Sequence, residues 1–498
     1  MIRITHKTLV VRTLACVLVL AGCCAASGKT TKAKQSSDKV PITTSSEEAR
    51  QCYLQGRDLA EKLRATDAHA QYEKAVKLDP NFALAYLGLA NTSGTNKEFI
   101  ENVSRAAELA PKASEGERHI ILGAESGMKA DPAGTISHYT ALVKLYPNDE
   151  RAVTLLGNTY FGRQDYKTAI TYLERATKIN PSFSQPYNQL GYAYRFLERY
   201  DDAEKTFQKY IQLIPDDPNP YDSYAELLMK MGRFDDSIKN YQKALSIDPN
   251  FIASYIGMGH DHLYMGHPEE ARASFAKIGE VARNTGEKRA AHFWTASTYV
   301  YEGKTDEAVK EIKAESALAE AENDLASIAG DFTQIGDIER EAGHYDEALA
   351  SYKESVTVIE KAQVPEQVKE ATRRNLIFEE GRVAALKNDL PTAKARSAEY
   401  AKQVAEKKRP FEVRQQHELA GMIALAEKQN GTAVAELQQA NQQDPRVLYM
   451  TSQALYASGK PAEGAKFANK ANKFNGLSFN YAYLRNKPDS SEVQASAK

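Results

Sequence analysis

Between Glu150 and Arg283 apolar and small residues recur at i, i+3, i+4 and i+7 within short stretches, each closed by a polar turn or a proline. That spacing lays one face of a helix against a core, so the stretch reads as successive pairs of amphipathic helices. One pair is Gln185 to Leu197 followed by Asp201 to Leu213: Tyr187, Leu190, Gly191 and Tyr194 share a face of the first helix, Ala203 and Phe207 a face of the second. Glu198 to Asp201 forms the turn, with Asp201 the expected N-cap. Pro215 lacks an N–H and stops the second helix. The pattern then repeats. Val153, Tyr187, Tyr221 and Tyr255 are spaced 34 residues apart, as are Pro181, Pro215 and Pro249. Gly157, Gly191, Ala225 and Gly259 keep the same interval, and so do Ala169, Ala203, Ser237 and Ala271. The small residues let paired helices approach closely. A single pair cannot bury its own apolar face, whereas stacked neighbours can.

A period of 34 with the order Tyr187, Leu190, Gly191, Tyr194, Ala203, Phe207 and Pro215 resembles the tetratricopeptide repeat (TPR) family. The resemblance implies an all-α, right-handed α-solenoid of stacked helix hairpins, with an inner and an outer surface. Upstream, one unit is Ala49 to Phe82, a degenerate one Ala83 to about Ala110, and a third Glu117 to Asp149. Beyond Ala271 the small second-helix residue recurs at Ala308, Ala348, Ala393 and Ala433, at wider intervals, so these units are TPR-like with longer helices, as in Ile312 to Ile328. The reading divides the chain into a regular array over 48–283, a longer-helix array over 284–475, and a C-terminal cap and frayed tail over 476–498. Helical pairs leave no room for a separate catalytic domain.

The N-terminus has a different character. Arg3 and Lys7 precede an apolar run from Thr8 to Leu20, broken by Arg12 and ending in Leu20-Ala21-Gly22-Cys23. Residues 1–22 are expected to be a signal peptide. The small residues ending at a cysteine resemble the lipobox of bacterial lipoproteins, in which the cysteine is lipid-modified and becomes the new N-terminus. That resemblance implies lipidation of Cys23 and, with Cys24 rather than Asp following, the periplasmic face of the outer membrane. Residues 23–47, rich in Ser, Thr and Lys, are expected to form a flexible tether. Cys52 is the one cysteine far from the lipid, so no disulfide framework is expected.

Composition narrows the rest. Lys+Arg 64 against Asp+Glu 66 gives a net charge of −2, which is no footprint for nucleic acid. The densest histidine stretch, His260, His262 and His267, cannot converge on a metal because His260 and His262 point to opposite sides of a helix. No Gly-rich phosphate loop, G-x-S-x-G or H-E-x-x-H occurs, so neither a cofactor, a metal nor an enzyme is expected.

The candidate partner-binding groove is the face of each first helix turned away from Tyr187 and its equivalents. It carries Asn158, then Asn188, Tyr192, Arg195 and Phe196, then Asp222, Glu226 and Lys230, then His260 and Tyr264, with Phe293 and Tyr301 continuing it and Trp294 beside them. Amides and rings on such a wall suit an extended peptide. TPR domains that grip a C-terminal carboxylate resemble one another in a Lys/Arg-and-Asn clamp. Asn158 matches its amide, but Gln189, Asn219 and Ser223 stand where later clamp residues would be. The resulting expectation is a non-catalytic, envelope-anchored scaffold recruiting a peptide or protein, similar to bacterial TPR lipoproteins that help assemble envelope machines. The alternative is a structural or ligand-sensing module acting through the C-terminal half or by self-association. The sequence names neither the partner nor an oligomeric state.

Overall fold

The computed structural model describes residues 38–407 and 409–484. Cys23, the signal peptide, the tether up to residue 37 and the tail beyond residue 484 lie outside the described residues. Among those described there are helices and no strands, and the helices pair in chain order. In the regular array the pairs are α1 (Glu47–Glu61) with α2 (Ala65–Leu78), α3 (Ala83–Thr92) with α4 (Asn96–Leu109), and α5 (Glu115–Met128) with α6 (Pro132–Leu145). There follow α7 (Glu150–Gly162) with α8 (Tyr166–Ile179), α9 (Gln185–Phe196) with α10 (Tyr200–Leu213), then α11 (Pro218–Lys230) and α12 (Phe234–Ile247), and α13 (Ile252–Tyr264) with α14 (Pro268–Val281). The later pairs are α15 (Thr285–Tyr301) with α16 (Thr305–Ala321), α17 (Leu325–Ala342) with α18 (Tyr345–Lys361), and α19 (Glu366–Leu386) with α20 (Leu390–Lys407). Last come α21 (Pro410–Ala426) with α22 (Asn430–Leu437), α23 (Pro445–Ala457) with α24 (Pro461–Asn472), and the single turn α25 (Phe479–Ala482).

The chain forms two compact units. One comprises the described residues up to Leu227 together with Gln242–Phe251; the other comprises Leu228–Tyr241 and everything described from Ile252 onward.

The small residues of the repeat are fixed by how closely the hairpins pack. A Cβ added to Gly191 would lie 2.6 Å from the ring of Phe207, and one added to Gly259 would lie 2.2 Å from the ring of Phe275. Each ring sits sixteen positions after its glycine, so one register serves successive pairs. At Gly157 the contact is with Leu173 at 3.1 Å, which is looser. Ala169, Ala203 and Ala271 have no exposed surface. The recurrent tyrosines are only half-buried, because their hydroxyls reach back across the preceding turn: Tyr187 and Tyr221 donate to the carbonyls of Pro181 and Pro215, each at 3.1 Å. Pro249 precedes Tyr255 by the same six positions.

The hairpin turns use a left-handed residue at a fixed place: Gln164, Glu198, Gly232 and Gly266, with φ between 59° and 82°. At Glu198 this moves the start of α10, whose N-cap is Arg199; Asp201, the expected cap, lies in the first turn. The long helix expected over Ile312 to Ile328 is two helices. Asn323 turns left-handed (φ 53°), and the Asp324 carboxylate caps α17 by accepting from Ser327 N at 3.1 Å.

Both ends of the described chain lie against repeats. Residues 38–46, expected as the last part of the tether, are extended and hydrogen-bonded to helix ends of three repeats. Val40 N donates to Asp149 Oδ2 (2.9 Å), Thr43 N to Glu117 Oε1 (2.7 Å) and Ser45 N to Asp79 Oδ2 (2.9 Å). Lys39 pairs with Glu150, and the Val40 side chain has no exposed surface. The polar residues that made this stretch read as free chain are the groups that bind it. At the other end, residues 474–484 reach well beyond the last hairpin, to α13, α15, α17 and the start of α23.

Candidate partner-binding walls

In the N-terminal unit the candidate residues of α9 and α11 converge. Arg195 Nη1 donates to Glu226 Oε2 at 3.2 Å, and the Tyr192 hydroxyl donates to Glu226 Oε1 at 2.7 Å. The guanidinium lies 4.7 Å from the Tyr192 ring centroid and 5.0 Å from that of Phe196, within cation–π range. Phe196 stacks on Tyr166 at 4.8 Å. Burial, reinforced by the Glu226 charge, pushes the Tyr192 phenol well above its ordinary value, which keeps it a proton donor. Arg195 is buried, while Tyr192, Phe196 and Glu226 keep part of their surface.

Asn188 and Asp222 are both buried, and Asn188 Oδ1 accepts from Ser223 Oγ at 3.3 Å. Asn219 Nδ2 donates to the Tyr210 hydroxyl at 2.6 Å. Two positions that a carboxylate clamp would need are thus engaged inside the array. Asn158 has no exposed surface, and neither atom of its side-chain amide has a hydrogen-bond partner among the described residues. On the same helix, Arg151 reaches across several repeats to Glu61 on α1 through two bonds of 2.7 and 3.0 Å.

In the C-terminal unit the candidate residues separate. His260 is packed between rings, edge-on to Trp294 at 4.7 Å and to Phe275 at 5.8 Å. Burial lowers its pKa to about 4, while its Nδ1–H is directed at the Ile256 carbonyl 2.9 Å away. Trp294 and Tyr301 are buried as well. Rings at these positions pack between adjacent first helices instead of facing outward. Tyr264 and Phe293 behave differently: both lie against the chain's own segment 474–484. The Tyr264 hydroxyl donates to the Gly476 carbonyl (2.5 Å) and accepts from the Gly476 N–H (2.8 Å), and its ring lies 4.4 Å from that of Tyr481. Phe293 lies 5.0 Å from Phe479.

Several residues on the same wall escaped sequence reasoning. Gln334 Nε2 donates to the Tyr483 hydroxyl (3.1 Å), Asp444 accepts from Asn480 Nδ2 (2.8 Å), and Arg446 lies 5.7 Å from the Tyr483 ring. A larger omission is a buried ionic network on the long first helices. Arg289 on α15 bonds Glu315 and Asp331; Arg340 on α17 bonds Asp337, Glu379 and Tyr352; Arg382 reaches Glu379 and Glu418; Arg374 reaches Glu412. Burial opposes the Arg340 charge, but Tyr352, Asp337 and Glu379 outweigh it and hold the guanidinium protonated. Burial, then the neighbouring Asp331 charge, raises the Glu315 carboxyl. The i, i+3 pairs Asp337–Arg340 and Glu379–Arg382 were visible in the sequence, but such pairs are usually exposed.

Among the described residues no cluster of His, Cys, Asp and Glu could hold a metal ion, and no helix is long and apolar enough to cross a membrane.

Hairpins of this length, stacked through a small residue on the first helix and a ring on the second, define an all-helical repeat protein. The TPR repeat family matches residues 157–195 and 225–266, and further tetratricopeptide repeat families match residues 184–217 and 53–113; no catalytic family matches. The chain is a tetratricopeptide repeat protein. Among solved structures, it resembles that of MamA at 28% identity, covering 32% of this chain and 94% of that one, with a TM-score of 0.28. It also resembles a tetratricopeptide repeat protein from Parabacteroides merdae, at 16% identity over 55% of this chain and 94% of that one, TM-score 0.34. A third is YrrB, described as a TPR protein with an unusual peptide-binding site, at 17% identity over 36% of this chain and 91% of that one, TM-score 0.25. No curated protein matches the chain.

Proposed function

We propose that this protein is a non-catalytic scaffold that recruits a peptide or protein partner on the inner walls of its repeats, held at the periplasmic face of the outer membrane by lipid on Cys23, and serving the assembly of an envelope complex. The observation that carries the recruiting half is the seating of residues 38–46. Backbone N–H groups of an extended stretch are taken up by carboxylates of three repeats: Asp149, the N-cap of α7, Glu117 in the first turn of α5, and Asp79, the C-cap of α2. Repeats that satisfy extended backbone in this way are equipped to do the same for another chain. The partly exposed group of Tyr192, Phe196 and Glu226 offers rings and a carboxylate to such a partner. The anchoring half rests on Leu20-Ala21-Gly22-Cys23.

Crosslinking in intact cells followed by capture from membranes tests both halves. Wild-type chain is expected to carry a crosslinked partner that Tyr192→Ala and Glu226→Ala reduce at least tenfold. Cys23→Ser is expected to abolish labelling by a radioactive fatty acid and release the protein from the membrane. Undiminished crosslinking in both wall variants would remove the wall from the account, and fatty-acid labelling of Cys23→Ser would remove the anchor.

A second reading, a regulated module working through the C-terminal half, is favoured by one observation: the wall around Tyr264 is covered by the chain's own segment 474–484.

A further inference from the structure

Segment 474–484 is held like a ligand. Its backbone is gripped at two places: Lys230 Nζ donates to the Phe474 carbonyl (2.6 Å), and the Tyr264 hydroxyl bonds both polar backbone groups of Gly476. Three of its four rings, those that follow Gly476, are each received by a different element. Tyr481 meets Tyr264 on α13, Phe479 meets Phe293 on α15, and Tyr483 meets Gln334 on α17 and Arg446 on α23. Phe479 and Tyr483 are 3% and 6% exposed, so the contact is desolvated and not a surface brush. Yet the segment has little structure of its own. It contains one four-residue turn, and an isolated turn is unstable without what it packs on. A backbone clamp, spaced aromatic pockets and an occupant that is ordered by the wall are the features of a peptide-recognition site.

We propose that the wall formed by Lys230, Tyr264, Phe293, Gln334 and Arg446 is a receptor for a short peptide carrying a glycine followed by three aromatic residues at alternate positions, and that segment 474–484 is its built-in competitor. The proposal deepens the recruiting function above, on which it rests, and names the chemistry of the partner. The tethering supplies a local concentration on the order of millimolar, so a free peptide must outbind the tethered copy before it can enter. Release of the segment would thus open the site to such a peptide.

The test uses the full chain and a fluorescent peptide with the sequence of Gly476 to Leu484, followed by anisotropy. Wild type is expected to bind the peptide at least tenfold more weakly than a chain carrying Phe479→Ala, Tyr481→Ala and Tyr483→Ala, in which the competitor is unseated. Adding Tyr264→Ala to that triple variant is expected to abolish the gain. Should the triple variant lose its cooperative helical unfolding, a wild-type chain cut after folding at a protease site inserted between Lys473 and Phe474 replaces it, and is expected to exchange in the labelled peptide. Equal binding by wild type and the unseated chain, or no binding by a folded unseated or cut chain, would overturn the proposal. Either result leaves recruitment at the Tyr192 wall to its own crosslinking test, so the two failures are distinguishable.

Discussion

Arg340 Nη1 and Glu379 Oε2 lie 2.7 Å apart, with no exposed surface on either side chain. Two opposite charges removed from water are tolerable only together, because each compensates the other's desolvation. Glu379 also receives Arg382, so its loss would take a carboxylate from two buried guanidinium groups at once, leaving Arg340 to Asp337 and Arg382 to Glu418. Glu379→Ala is therefore expected to destabilise the C-terminal unit by about 3–5 kcal/mol, as measured by chemical unfolding. A change below about 1 kcal/mol, the scale of an exposed pair, would mean that the network is solvated.

The same network marks where sequence reading stopped. Apolar periodicity and small-residue spacing located the hairpins, because a glycine facing Phe207 or Phe275 is imposed by contact distance. Charges carry no such label. Arg374 and Glu412 sit on different first helices, and only the stacking of α19 against α21 turns two ordinary polar positions into a buried pair. For the walls, helical phase placed Tyr192, Arg195, Phe196 and Glu226 together and put Tyr264 and Phe293 on one wall, where both meet segment 474–484. It could not separate rings that face outward from rings that pack between helices, as His260 and Trp294 do. Nor could it show that segments remote in sequence lie on the walls, since that depends on stacking and not on local pattern.

Asp261 has no exposed surface and is packed near Ser237. Burial raises its pKa to about 8, only partly offset by the Ser237 hydrogen bond. The folded state therefore keeps a proton that the unfolded chain releases near its ordinary value, and stability falls as pH rises from about 4 to about 8. Asp261→Asn removes this slope, so its advantage over wild type is expected to grow across that window to a few kcal/mol, on the order of one for each pKa unit. His260 acts at the acid end with the opposite slope. Its pKa is lowered to about 4, so its contribution is lost as pH falls from about 6.5 toward 4. Unfolding free energies of Asp261→Asn and wild type between pH 5 and pH 8.5 check the first slope; parallel curves would contradict it.

Glu198 holds a left-handed conformation (φ 59°) at the turn where other repeats use Gly232 and Gly266. An L-residue there costs about 1–2 kcal/mol. Glycine removes that strain but adds about 0.4–1 kcal/mol of unfolded-state entropy. The balance predicts that Glu198→Gly raises stability by up to about 1 kcal/mol. A lower unfolding midpoint in denaturant would show that the Glu198 side chain contributes more than its backbone strain.

Gly191→Leu would force a branched side chain into a gap where even a Cβ lies 2.6 Å from the Phe207 ring. Overpacking of this kind costs about 1–3 kcal/mol. Thermal unfolding followed by helical circular dichroism is expected to shift down accordingly; an unchanged midpoint would place the hairpin contact elsewhere.

The central claim is that stacked repeats of this chain take up extended segments through side chains on their helices and helix caps, and amide hydrogen exchange of the full-length protein tests it most directly. The N–H groups of Val40, Thr43 and Ser45 on the N-terminal unit, and of Gly476 on the C-terminal unit, are each donated to a side-chain oxygen of a repeat. They are expected to exchange at least a hundredfold more slowly than the same sequences in free peptides, and Tyr264→Phe is expected to release Gly476 alone. Exchange of all four at the free-peptide rate would contradict the claim.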